Sequence, residues 1–149
     1  HHAEKALAMC QRESLPASLI YVDLNDFKQI NDQLGHKMGD KVLQQFADML
    51  LATFRESDIC GRLGGDEFAV FLPHVEKSHL EETLQRLTQK IADYNDKHQD
   101  QSAFGISFGV VNFIAKQHNN VFAMMQEADE LMYAHKADCK KADCKNSAH

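Results

Sequence analysis

The chain has 149 residues, 44% of them hydrophobic and 26% charged, the profile of one soluble globular domain with room for a core. Its formal charge of −6 argues against sequence-independent binding to nucleic acid or to an anionic membrane surface, while leaving open a phosphorylated ligand balanced locally by metals or a few cations. No apolar run approaches a membrane span, no signal peptide is visible, and the four cysteines lack CxxC or zinc-ligand spacing, which fits reduced thiols in a cytosolic setting.

His1 and His2 read equally as native chain or as remnants of a tag. Leu19-Ile20-Tyr21-Val22 is a continuously apolar strand ending at Asp23, as expected of a central strand. Phe27, Ile30 and Leu34 follow at helical spacing, with Gly35 as a C-cap. A second helix starts near Asp40, a good N-cap, and buries Leu43, Phe46, Ala47, Leu50 and Phe54 along one face. Ile59 to Leu63 is the next strand, with Cys60 as a small buried hydrophobe. Gly64 and Gly65 then suit a two-residue hairpin turn. Asp66 and Glu67 come next, and the strand Phe68-Ala69-Val70-Phe71-Leu72 is stopped by Pro73.

Ser78-His79-Leu80-Glu81 has capping-box form and opens a helix through Leu80, Leu84, Leu87, Ile91 and Tyr94. Residues 95–102 are polar and read as a loop. Phe104, Ile106, Phe108 and Val110 alternate with Gly105, Ser107 and Gly109, a strand whose small face admits a helix closely. Val121, Met125, Ala128, Met132 and His135 trace a last helix, and residues from about 141 to 149 read as a solvated tail.

The order β-α-β-β-α-β-α predicts an α+β fold with a ferredoxin-like βαββαβ core, an antiparallel sheet flanked by helices. In that topology the first and third strands are antiparallel neighbours, so Asp23 and Asp66 converge. Like charges about 4 Å apart repel by roughly 1 kcal/mol in water and about 4 kcal/mol at a protein surface. Two carboxylates, completed by water and substrate phosphates, are a usual holder of Mg²⁺. The plainer alternatives are a solvated Gly-Gly-Asp turn and, for Asp23, a strand-end turn residue.

YVDLNDFKQINDQLGHKMGD followed by RLGGDEF, then FGISFGV and EADELMYAHK, resembles the GGDEF domain of diguanylate cyclases from about Leu19 to Lys140. The family's DxLTGLxNR-like N-terminal segment is expected to be missing, the rest being a single GGDEF domain. The resemblance implies a nucleotidyl cyclase or polymerase-palm-like fold and condensation of two GTP into cyclic di-GMP plus pyrophosphate, with Mg²⁺ or Mn²⁺. Asp23, Asp66 and the Leu24 carbonyl would hold metal, with Glu67 nearby. Asp66 would also help take the hydroxyl proton, and Lys28 would steady charge on phosphate. Amides around Asp26 and Phe27, at a helix start, would receive phosphate. Asn31, His36 and Asp40 match the guanine-recognising positions, with Asp40 also the natural N-cap and His36 also a loop-shaping residue. Lys136 and Lys140 match terminal-phosphate contacts. Lys140 stands where arginine is common, and Cys139 where glycine is usual.

Arg55-Glu56-Ser57-Asp58 fits RxxD, which in this family marks a product-binding inhibitory site that Arg86 would support. An exposed ion pair is its plain alternative. The implied partners are GTP, cyclic di-GMP as product and inhibitor, and a second copy of the domain, because each copy supplies half a site. Neither nucleic acid nor direct membrane contact is expected, without bearing on a membrane tether elsewhere in a longer parent. The alternative is a catalytically silent receptor for cyclic di-GMP or GTP, although Asp23, Asp66 and Glu67 are all intact. A ferredoxin-like interaction domain with acidic turns would leave the joint placement of Lys28, Asn31, Asp40 and GGDEF unexplained.

Overall fold

The computed structural model describes residues 2–99 and 102–147. A four-stranded sheet of β1 (Ala17–Asn25), β2 (Ile59–Gly64), β3 (Glu67–Pro73) and β4 (Gly105–Asn112) has the order β2-β3-β1-β4. The β1–β3, β1–β4 and β2–β3 pairings are all antiparallel, as the ferredoxin-like reading requires. The continuous apolar run of β1 follows from its central place, since both faces of the strand are covered. Ile20, Val22 and Leu24 belong to a core built with helices α2 (Phe27–Leu34), α3 (His36–Thr53) and α4 (Lys77–Lys97). Leu19 and Tyr21 belong to a second core with α1 (His2–Glu13) and α5 (Val121–Ser147). Among the described residues no helix is long and apolar enough to cross a membrane.

Several boundaries differ from the sequence reading. Helix α3 begins at His36, with Gly35 as its N-cap and the Gly39 amide donating to the Gly35 carbonyl. Asp40 is therefore inside the helix and is not its cap. Gly35 also closes α2, its amide donating to the Asn31 carbonyl at 2.9 Å, so one glycine serves both helices. The capping box at Ser78 does not form. Helix α4 starts two residues earlier, its N-cap is Glu76, and no side chain bonds the cap. It also continues to Lys97, through part of the expected loop, while residues 100–101 of that loop lie outside the described residues. Cys60 is half-buried, because β2 is an edge strand. Helix α5 runs on to Ser147, through most of the stretch read as a tail. Helix α1 has no counterpart in the sequence reading, since it buries only Leu7 and Cys10 fully and leaves little apolar periodicity to detect.

The small face of β4 does what its composition suggests. A Cβ on Gly109 would stand 2.1 Å from the Ala128 carbonyl oxygen and 2.6 Å from the Met132 amide nitrogen. The strand and α5 thus touch backbone to backbone, which fixes α5 over the sheet. Two further bonds set the start of α5: the Glu4 carboxylate accepts from the Val121 amide at 2.9 Å, and His118 Nε2 lies 2.5 Å from Glu127 Oε2. Gly109→Ala is expected to cost about 2–3 kcal/mol through overpacking, lowering the melting temperature by roughly 5–12 °C. An unchanged thermal melt would show that α5 need not approach so closely.

Candidate active site

The β2–β3 hairpin is closed by the pair Gly64–Glu67, so its two-residue turn is Gly65-Asp66, one position later than the Gly64-Gly65 turn expected from sequence. Gly65 takes the left-handed conformation, at φ 50°. The register shifts between Arg62 and Gly64, leaving Leu63 as a bulge. Arg62 braces the loop, its Nε donating to the Gly65 carbonyl at 2.9 Å. The displaced turn resolves a geometric difficulty. Neighbouring strand residues face opposite ways, but Asp66 is a turn residue and escapes that alternation. Glu67 opens β3 directly opposite Asp23 of β1, so the two share the face covered by α5.

Asp23 is buried, at 4% exposure. Lys136, on α5, donates from Nζ to Asp23 Oδ2 at 2.6 Å. The other oxygen, Oδ1, is buried without a hydrogen-bond partner. The Asp66 main chain is tied alongside, its carbonyl accepting from the Leu24 amide at 3.2 Å. Burial first, then the hydrogen bond that Asp66 can donate to Asp23 once protonated, and the charge of Asp23, push the Asp66 carboxyl up to about 6. The hydrogen bond to Asp23 raises the Lys136 pKa against the opposing effect of burial, and the charges of Asp23, Asp66 and Asp26 add to the rise. Two carboxylates have no proton to share between them when both are ionised; only a proton or a cation relieves such a pair. The orphaned Asp23 oxygen and the elevated Asp66 therefore fit a divalent cation. Among the described residues no three His, Cys, Asp or Glu side chains form a closed metal cage, which suits an ion completed by water and phosphate oxygens.

Glu67 has a partner that the sequence reading missed. The Tyr21 hydroxyl donates to Glu67 Oε2 at 2.7 Å. Burial, followed by the bond and charge of Glu67, holds the Tyr21 hydroxyl pKa well above the ordinary tyrosine value. Period-two spacing could have flagged this residue, since Tyr21 and Asp23 lie on one face of β1. Arg62 was also missed, although it stands within the RLGGDEF motif.

The remaining candidates divide into groups. Asn31 packs against Gly39, the residue before Asp40: a Cβ on Gly39 would lie 1.8 Å from Asn31 Oδ1, so glycine at 39 makes room for the Asn31 amide beside the first turns of α3. Asp40 is exposed and, with Leu43, Arg62 and Phe68, lines a cavity of about 450 Å³ between α3 and β2. Phe27 is half-buried against the larger core. Lys28, His36 and Lys140 are exposed and are not bonded to the carboxylates. Cys139 is half-buried and lines a separate cavity of about 500 Å³ beside Asn25, Asp26 and Gly105. Lys136 faces Asp23 here, so the expected phosphate contact requires it to leave that carboxylate.

Arg55 and Asp58 form a closed clasp. Asp58 accepts from the Arg55 amide at 2.8 Å, from Nε at 3.4 Å and from Nη2 at 3.0 Å, and Nη2 also reaches the Pro73 carbonyl at 3.0 Å. The Asp58 side chain is 1% exposed and that of Arg55 38%. Arg86 bonds within its own helix, to Thr83 Oγ1 at 3.4 Å.

The family described as "Diguanylate cyclase, GGDEF domain" matches residues 1–142. The chain is similar to diguanylate cyclase DgcS of Shewanella oneidensis, 32% identical over 135 residues, covering 90% of this chain and 44% of that protein. It is also similar to diguanylate cyclase DosC of Escherichia coli, 27% identical over 130 residues, covering 87% of this chain and 28% of that one. The chain thus spans less than half the length of these curated relatives. Among solved structures, the active GGEEF domain of a diguanylate cyclase from Vibrio cholerae superposes with a TM-score of 0.82 at 27% identity, covering 92% of this chain and 86% of that one.

The raised Asp66 carboxyl predicts a sign. Its folded pKa of about 6 exceeds the ordinary 3.8, so proton binding favours the folded state, and this stabilisation is lost as pH rises through about 6. In thermal melts with chelator, Asp66→Asn should raise the melting temperature at pH 7.5, with the gain shrinking as pH falls through 6 towards 4. A gain independent of pH would contradict the close pairing of Asp66 with Asp23.

Proposed function

Because this chain belongs to the GGDEF domain family of diguanylate cyclases, we propose that it condenses two GTP molecules into cyclic di-GMP and pyrophosphate, with two copies of the domain each holding one nucleotide. The observation that carries this reading is the convergence of Asp66 and Lys136 on the buried Asp23. That point combines paired carboxylates for a cation with a mobile positive charge for phosphate. Each 3′-hydroxyl attacks the α-phosphate of the other nucleotide, forming the new P–O bond as the bond to pyrophosphate breaks. The chain's task is to align these groups and to handle charge and protons.

Asp23, Asp66 and the Leu24 carbonyl would hold Mg²⁺ or Mn²⁺, with Glu67 at its side. That ion, when bound, neutralises phosphate charge. A carboxyl raised to about 6 is still mostly ionised at neutral pH and has more proton affinity than an ordinary aspartate, which suits Asp66 to take the hydroxyl proton. Lys136 then exchanges Asp23 for the terminal phosphates, joined by Lys140 and Lys28 and by the amides at the start of α2, near Phe27. A carboxylate accepts from the N1–H and N2 amine of guanine. Asp40, relieved of any capping duty, is available for that contact, with Asn31 against the adjoining Gly39 and His36 at the same helix start.

Arg55 and Asp58 form the proposed inhibitory site for cyclic di-GMP, with Arg86 in support. Asp58 already accepts three bonds from Arg55 and its side chain is 1% exposed, so product binding requires the guanidinium to turn outward and trade Asp58 for the ligand.

The test of catalysis is incubation with GTP and Mg²⁺, with the domain free and artificially dimerised, followed by chromatography. Wild type should yield cyclic di-GMP, and Asp66→Ala should reduce the rate by a factor on the order of 10³ or more. Product from the variant at the wild-type rate would overturn the mechanism. Binding of cyclic di-GMP without turnover in the dimerised wild type would instead support a receptor. For feedback, Arg55→Ala should raise the product concentration giving half-inhibition by about tenfold or more, the worth of a lost charged hydrogen-bond pair. Unchanged inhibition would leave Arg55–Asp58 as a structural clasp alone.

A further inference from the structure

We infer that Tyr21 is a positioning residue for the reaction: its hydroxyl fixes the Glu67 carboxylate so that one oxygen faces the cation held by Asp23 and Asp66. Tyr21 and Asp23 stand two residues apart on β1, on the face covered by α5, and their partners across β3 are Ala69 and Glu67. Ala69 is too small to fill the space opposite Tyr21. The phenol therefore leans along the sheet and donates diagonally to Glu67 Oε2 at 2.7 Å, a reach available to a long side chain between antiparallel strands. Tyr21 is buried at 9% exposure, with its ring in the core shared with α5, so the donor has little freedom to turn away.

Glu67 is thereby held from one side only. Among the described residues Oε1 takes no hydrogen bond, and Glu67 is opposite Asp23 in the strand register. A glutamate at a strand start would otherwise sample several rotamers, whereas here one oxygen is anchored and the other is left for the site. Partners of this kind, behind a metal-facing carboxylate, commonly govern metal affinity and activity. The inference rests on the proposal that Asp23 and Asp66 hold a divalent cation.

The experiment is Mn²⁺ titration of the nucleotide-free chain, followed by electron paramagnetic resonance, for wild type, Tyr21→Phe, Glu67→Gln and the double variant. Phenylalanine keeps the ring in the core and removes only the donor. Tyr21→Phe is expected to weaken Mn²⁺ binding by about tenfold, and to have no further effect once Glu67 is glutamine. Equal affinity of Tyr21→Phe and wild type would overturn the role of Tyr21, as would an undiminished effect in the Glu67→Gln background. Absence of Mn²⁺ binding by wild type would instead bring down the metal reading, and this inference with it.

A second measurement needs no substitution at Tyr21. With ¹³C at the ring carbon bearing the hydroxyl, the Tyr21 resonance should shift when Mg²⁺ binds, and Glu67→Gln should abolish that shift. A resonance that stays still while Mg²⁺ binds would overturn the inference.

Discussion

The site depends on one constraint: two carboxylates are forced together at the end of a rigid sheet. Antiparallel pairing of β1 with β3 sets Asp23 opposite Glu67, and the two-residue turn then delivers Asp66 to the same place. Neither aspartate can retreat, because β1 is central and the Asp66 carbonyl is bonded to Leu24. The electrostatic cost of that arrangement is met from across the interface, by Lys136 of α5. A single ammonium on one oxygen leaves the other carboxylate oxygen unpartnered and the Asp66 carboxyl raised. The fold therefore builds a demand for positive charge larger than its own lysine supplies.

Much of the remaining structure serves to hold Lys136 at that distance. Gly109 lets α5 approach β4 to backbone contact, and Glu4 and the His118–Glu127 pair fix the helix start. Within α5, His135 accepts from the Phe108 amide at 3.0 Å, pinning the turn that carries Lys136 against the edge strand. Lys136 itself remains partly exposed, at 30% for its side chain, so it can exchange Asp23 for another anion without unpacking the helix. Rigid carboxylates and a movable cation are a suitable division of labour for the proposed exchange of phosphates.

Features with strong local periodicity were legible in the sequence. The central strand, the apolar faces of α3 and α4, and the contrast between the two faces of β4 all follow from residue spacing, and the strand order followed from the alternation of elements. That order alone brought Asp23 to Asp66. Where local rules misled, a neighbour had taken over the expected task. Asp40 looked like an N-cap, but Gly35 ends one helix and begins the next. Gly64-Gly65 looked like the turn, but the bulge at Leu63 shifted it by one residue. The Tyr21–Glu67 bond and the Lys136–Asp23 pair depend on side-chain reach across strands and between layers, which spacing along the chain does not encode. Helix α1 was invisible because small residues make most of its contacts.

The central claim is that Asp23 and Asp66 await a cation that Lys136 only partly replaces. Its most direct measurement is the thermal shift produced by Mg²⁺ with a GTP analogue that resists turnover, in wild type and in Asp23→Asn. Ligand that binds only the folded state raises the melting temperature. Wild type should gain several degrees from metal and analogue together and much less from the analogue alone, while Asp23→Asn should lose the metal-dependent part. An equal metal-dependent shift in both proteins would contradict the account.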